Sequence, residues 1–149
     1  MNFEIKSFNE LTANEMYEIA KSRFEVFVCE QKIVDEQDFD DKDKKSYHVM
    51  LKEGERIVAY SRILPNGLAY NNASIGRVLV LKDYRRKGIA QQMMEACVEF
   101  IKENLNDNAV VLSAQLYIKS MYESVGFRAI SEVYNEVNIP HIKMKRELK

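Results

Sequence analysis

The stretch that most constrains the fold is Ser74 to Phe100, where a strand pattern, a basic turn and a helical pattern follow one another without interruption. Ser74-Ile75-Gly76-Arg77-Val78-Leu79-Val80-Leu81 has the β-branched, apolar character of a strand with little exposed face. Ile89, Met93, Met94, Ala96, Cys97, Phe100 and Ile101 then recur at three-to-four-residue spacing, as one buried helical stripe requires. Between them lies Arg85-Arg86-Lys87-Gly88-Ile89-Ala90. A helix that opens just after Gly88 points its first unpaired N–H groups beyond the strand, and its dipole makes that space favourable for an anion. Glycine lets a phosphate approach closely, and the three cations add charge. The plain alternative is a strand-to-helix turn with a glycine and surface cations. Neither Gly-x-x-x-x-Gly-Lys-Ser/Thr nor Gly-x-Gly-x-x-Gly occurs, which sets aside a P-loop and a dinucleotide fold.

A chain of 149 residues fits one domain over 1–149, long enough to bury most of its apolar surface in a single core. Its net charge of −1 provides no global attraction to nucleic acid or to anionic membranes, so neither is expected as a partner. No apolar run reaches the ~20 residues that span a bilayer. Met1-Asn2-Phe3-Glu4-Ile5-Lys6 lacks the basic-then-apolar layout of a signal peptide, and a cytoplasmic protein is expected. Cys29 and Cys97 show no metal-type spacing and read as buried small hydrophobes; no metal is expected.

Phe3-Glu4-Ile5-Lys6 alternates like a short strand, and Thr12-Ala13-Asn14-Glu15 spells a capping box. Met16, Ile19, Ala20, Phe24 and Phe27 continue that helix to about Val28. Lys32 to Ser46 has no sustained period and carries Asp35, Glu36, Asp38, Asp40, Asp41 and Asp43. The EF-hand pattern fails there, because Lys42 takes the third ligand position from Asp38 and no glycine follows it. Two readings stay open: a solvated acidic loop, or a border of an acceptor pocket that attracts a cationic amine. Tyr47–Leu51 and Arg56–Leu64 read as strands joined through Glu53-Gly54-Glu55. Val110–Ala114 follows as a buried strand, then a helical pattern from Tyr117 to Val125 stopped by Gly126, then strands Ile130–Val137 and Ile142–Met144.

Arg-x-x-Gly-x-Ala after Val-Leu-Val resembles the pyrophosphate-binding motif of the Gcn5-related N-acetyltransferases (GNAT). Gln115 to Phe127 is similar to a second pattern of that family, with Tyr122 and Gly126-Phe127 matching, while Gln115, Ile118 and Met121 replace its usual asparagine, alanine and leucine. Phe24 to Gln31, Ile75-Gly76-Arg77-Val78, Glu132-Val133-Tyr134 and Ile139-Pro140-His141-Ile142 resemble the ElaA-like branch. The resemblance covers nearly the whole chain. It implies an α/β (α+β) GNAT fold: a mixed, mostly antiparallel, splayed sheet with helices on both faces.

For chemistry, the resemblance implies acetyl-coenzyme A as cosubstrate. Its diphosphate would rest on Arg85, Arg86, Lys87, Gly88, Ile89 and Ala90, and its pantetheine arm would lie along Val78, Leu79 and Val80, with Gln115 nearby. Backbone N–H groups near Val80 would polarise the thioester carbonyl, where negative charge develops. A small-molecule or peptidyl amine would attack directly, and it must first lose a proton, because alkylamines near pH 7 are mostly charged. Glu30, His48 and His141 are the candidate base or water relay, each with a structural alternative. The family pattern assigns Tyr122 to protonate the leaving thiolate. A non-catalytic acyl-coenzyme A sensor with the same fold is the competing function, and a homodimer is compatible with the sequence.

Overall fold

The computed structural model describes residues 1–148. Eight strands form one sheet: β1 (Glu4–Ser7), β2 (Tyr47–Glu53), β3 (Arg56–Leu64), β4 (Ala73–Val80), β5 (Ala109–Gln115), β6 (Arg128–Ala129), β7 (Tyr134–Glu136) and β8 (Ile139–Glu147). Their order is β1-β2-β3-β4-β5-β8-β6, with β7 also paired to β8. All pairs are antiparallel except β4 with β5. Helix α1 (Ala13–Arg23) covers one face, and α2 (Ile89–Phe100) and α3 (Lys119–Ser124) cover the other. The alternation along β3 builds both layers: Val58 and Tyr60 pack with Ile19 of α1, while Ala59 and Ile63 pack with Met93 and Met94 of α2. The mixed, splayed sheet with helices on both faces is therefore observed.

The splay is local and sharp. Strands β4 and β5 pair only at Ala73↔Val110 and Ser74↔Val111, after which they part. A β-bulge in the same strand aids the separation, since the β3–β4 register passes from Tyr60↔Leu79 to Arg62↔Gly76, two residues against three. Arg77 sits in that bulge at φ 51, a left-handed conformation uncommon for a residue with a Cβ.

Thr12 caps α1 as the sequence implies, its Oγ1 accepting from Glu15 N at 3.0 Å while Glu15 Oε1 accepts from Thr12 N at 2.9 Å. The end of that helix differs from expectation. Phe24–Glu30 continues as a π-helical stretch, whose larger number of residues per turn rotates the side chains out of the α-helical stripe. Phe24 is consequently 57% exposed, and Cys29, expected to be buried, is exposed; Cys97 is buried. The C-terminal strands also differ. In the segment read as Ile130–Val137 the strand is confined to Tyr134–Glu136, and Ile130 and Val133 are exposed. Val137 and Asn138, both at positive φ, form the whole two-residue hairpin turn, so β8 resumes at Ile139 and carries Pro140 near its start.

Candidate active site

Where β4 and β5 diverge, the sheet opens into a cleft of about 330 Å³, the lower end of the range for small-molecule sites. Val78 lines one wall, and Ser113, Gln115, Tyr122 and His141 line the other. The edge of β4 facing it has no strand partner beyond Ser74. Because Leu81 N donates to Val58 O, Ala59 and Val80 form a non-hydrogen-bonded pair, and the N–H and C=O of Val80 point away from β3 into the gap. The carbonyl accepts from Arg85 Nε at 2.8 Å. The N–H remains directed at the gap.

The basic turn follows directly. Arg86 at φ 65 and Gly88 at φ 75 curl the backbone ahead of α2, and no side chain caps the helix at Gly88. Its first N–H groups are thereby left without an intrahelical partner or a capping side chain, the arrangement that receives an anion. The three cations divide in role. Arg85 is held by Val80 O and, through both terminal nitrogens, by Glu30 at 2.7 and 2.8 Å. Among the described residues neither Arg86 nor Lys87 forms an ion pair, and Lys87 lies 5.6 Å from the Tyr84 ring centre. Ile89 is anchored in the core, and Leu79 turns its side chain to the α1 face. The edge and turn thus offer an unpaired strand, an open helix terminus and two unpartnered cations, which fits a pantetheine diphosphate.

Tyr122 is 3% exposed, packed edge-on against Phe127 at 6.0 Å, and lines the cleft. Burial pushes its phenol well above the ordinary range, so it stays protonated at neutral pH. Gln115 Nε2 donates to Gln31 Oε1 at 3.1 Å and bridges β5 to the end of the π-helical turn.

The three candidate bases separate. His141 lines the cleft, stacked on Tyr134, whose hydroxyl bonds to Ser113 Oγ. Its Nδ1 lies 2.7 Å from Ile139 O; a carbonyl only accepts, so Nδ1 carries a proton, and Nε2, 3.7 Å from a Glu136 oxygen, is the nitrogen without a hydrogen bond. His48 is the reverse case: fully buried, with Nε2 donating to Asp43 O at 2.9 Å and Nδ1 accepting from Tyr60 OH at 2.7 Å. Burial lowers its pKa, both nitrogens are occupied, and it does not line the cleft; it is a core histidine. Glu30 lies on the turn side, not in the cleft, and its pairing with Arg85 holds the carboxyl below the usual range, which weakens it as a base.

The acidic loop is divided between carboxylates held by arginines and carboxylates left exposed. Asp43 is buried, bonded to Arg23 Nη1 at 2.7 Å and Arg62 Nη1 at 3.1 Å. Asp40 meets Arg62 at 2.7 and 2.8 Å, and Asp38 meets Arg23 Nε at 2.9 Å and Arg77 Nε at 3.1 Å. Three arginines thus neutralise three of the six carboxylates, while Asp35, Glu36 and Asp41 are exposed and Glu36 lines the cleft. Arg23, Arg62 and Arg77 were not singled out by the sequence reading. The available signal was an arginine in each of two otherwise buried strands, together with a loop of carboxylates in need of partners.

Fold and site together define an acyl-coenzyme A-dependent transferase architecture. Residues 8–148 match the acetyltransferase (GNAT) domain family, and the chain belongs to that family. It is 35% identical over 141 residues to protein ElaA of Escherichia coli, spanning 94% of this chain and 92% of the relative. The crystal structure of Escherichia coli ElaA superposes with a TM-score of 0.88 at 33% identity, over 99% of this chain and 100% of that one. That of an acyl-CoA N-acyltransferase from Pseudomonas aeruginosa gives 0.88 at 34% identity, over 98% and 99%. The chain is thus an ElaA-like GNAT protein. Among the described residues no helix is long and apolar enough to cross a membrane.

Proposed function

We propose that this chain transfers an acetyl group from acetyl-coenzyme A to a primary amine by direct attack, with both substrates bound. The observation that carries the reading is the unpaired edge of β4, which runs from the cleft to the uncapped start of α2. Acetyl-coenzyme A would supply the activated thioester. The chain's own groups supply the rest. Val80 N–H stands as donor to the carbonyl oxygen, and α2's first N–H groups with Arg86 and Lys87 receive the diphosphate. Arg85 fixes the turn by clasping Val80 O and Glu30, rather than holding phosphate itself. His141 takes the proton from the amine at Nε2, and its Nδ1–H bond to Ile139 O sets that tautomer. As the new C–N bond forms and the C–S bond breaks, the Tyr122 hydroxyl gives its proton to the departing sulfur.

Release of free thiol from acetyl-coenzyme A, dependent on an added amine, tests the reading. His141→Gln should lower kcat by roughly 10²-fold, the usual worth of a general base, while His48→Gln should lower stability and leave kcat near wild type. A folded chain that binds coenzyme A but releases no thiol with any amine is the sensor instead.

A further inference from the structure

Resting on the reading of the chain as an N-acyltransferase, the geometry points to a carboxylate on the acceptor amine, received in the cleft by Arg62 Nε–H and the guanidinium of Arg77. Arg62 lies in β3 and is only 4% exposed. Its two terminal nitrogens both bond to carboxylates of Asp40 or Asp43, yet Nε, also buried, has no hydrogen-bond partner among the described residues. A buried charged donor left unpaired is costly, and native proteins seldom leave one without an occupant.

Arg62 lines the cleft, and its cross-strand neighbour lies beside the unpaired N–H. Gly76 of β4 is paired with Arg62, and a Cβ built on Gly76 would lie 4.0 Å from Arg62 Nε. A side chain at that position would take up space next to the donor; glycine takes up none. Arg62, Gly76 and Arg77 all line the same cleft as His141 and Tyr122.

A carboxylate fits this donor better than a neutral oxygen, because hydrogen bonds between a charged guanidinium and a carboxylate are the stronger kind. Arg77 bonds mainly to backbone oxygens, with Asp38 O at 2.8 Å, and shares the Asp38 carboxylate with Arg23. Burial, with Arg62 and Arg23 close by, pulls the Arg77 guanidinium below the usual arginine range. An anion at Arg62 Nε would relieve that repulsion and satisfy the orphan donor with one group. The bulge at Arg77, with its left-handed φ of 51, is what carries its guanidinium to this end of the cleft. Glu36 also lines the cleft but is exposed, and Asp38, though it lines the cleft, is committed to its two arginines.

The test compares matched acceptors on the full chain: lysine against pentane-1,5-diamine, and phenylalanine against phenethylamine, by thiol release at saturating acetyl-coenzyme A. The carboxylated member of each pair should have a kcat/KM at least about tenfold higher, as expected where a built polar site is left unsatisfied by the analogue. In Gly76→Ala the added methyl makes only ordinary contacts, 3.9 Å from Leu64 Cδ1 and 4.0 Å from Arg62 Nε, so the fold should survive. There the preference should collapse, through KM rather than kcat. Equal or better turnover of the decarboxylated amines would overturn the carboxylate subsite while leaving acyl transfer intact. If no amine is acetylated, the transfer reading is what fails, and calorimetric titration of the same amino acids in the presence of coenzyme A decides the subsite. Tighter binding of the carboxylated members to wild type than to Gly76→Ala upholds it, and no difference overturns it.

Discussion

Two arginine-rich regions border strand β4, and they use the same side chain in different ways. In the turn after the strand, Arg85, Arg86 and Lys87 are contiguous; one is held by the protein and two have no ion-pair partner. In the cluster at the other end, Arg23, Arg62 and Arg77 come from α1, β3 and β4, and each meets a carboxylate from one loop. Contiguous exposed charge is free to meet a ligand. Dispersed buried charge organises the protein first, and offers a ligand only what its internal partners leave over, which here includes the buried Nε–H of Arg62.

The largest effect expected from this contrast lies in the cluster. Arg23 is 0% exposed, so Arg23→Ala would take one of two arginine partners from each of Asp38 and Asp43, empty a buried position and cost about 3–5 kcal/mol, read from urea unfolding. A loss below about 1 kcal/mol, the worth of an exposed pair, would mean that the cluster is not a structural unit. Between the two regions, Tyr122→Phe should keep the fold and coenzyme A affinity and lower kcat by roughly 10²-fold. The deficit should narrow at high pH, where a thiolate leaves unaided. Wild-type kcat across the pH profile, with chemistry rate-limiting, would make Tyr122 structural.

In the turn the effects should be smaller and should fall on binding. Arg86→Ala with Lys87→Ala should leave stability unchanged and weaken coenzyme A by roughly tenfold at low salt, less at high salt. An equal loss at all salt concentrations would count against a phosphate contact. The smallest effect is on acid stability. Arg62 holds Asp40 well below the usual carboxylate range; burial opposes the same shift at Asp43, but Arg23 and Arg62 outweigh it. Groups depressed in the folded state contribute stability that is complete above the unfolded value near ~4 and lost as pH falls below it. The urea midpoint should therefore drop as the solution is acidified, with a shallower slope in Asp40→Asn.

The same contrast explains what was legible in the sequence. The Ser74–Phe100 unit, the Thr12–Glu15 capping box and the Gly126 stop rest on neighbours in the chain, and all were readable from it. The two histidines were not separable, because their difference lies in partners distant in sequence: Tyr60 and the Asp43 carbonyl around His48, the cleft around His141. Glu30 and Arg85 are 55 positions apart, so their pairing, which turns a candidate base into a brace for the turn, has no local signal either. The orphan donor on Arg62 depends on three elements meeting, and on Gly76 lacking a side chain.

The central claim is that coenzyme A occupies the unpaired edge of β4 and the turn that follows it. Backbone hydrogen exchange with and without coenzyme A tests this most directly, at residue resolution. The account predicts that the ligand slows exchange at Val80 and at the amides that open α2 after Gly88, and leaves the paired start of β4 at Ala73 and Ser74 unchanged. Protection elsewhere, with Val80 and the residues after Gly88 exchanging as in the free chain, would contradict it.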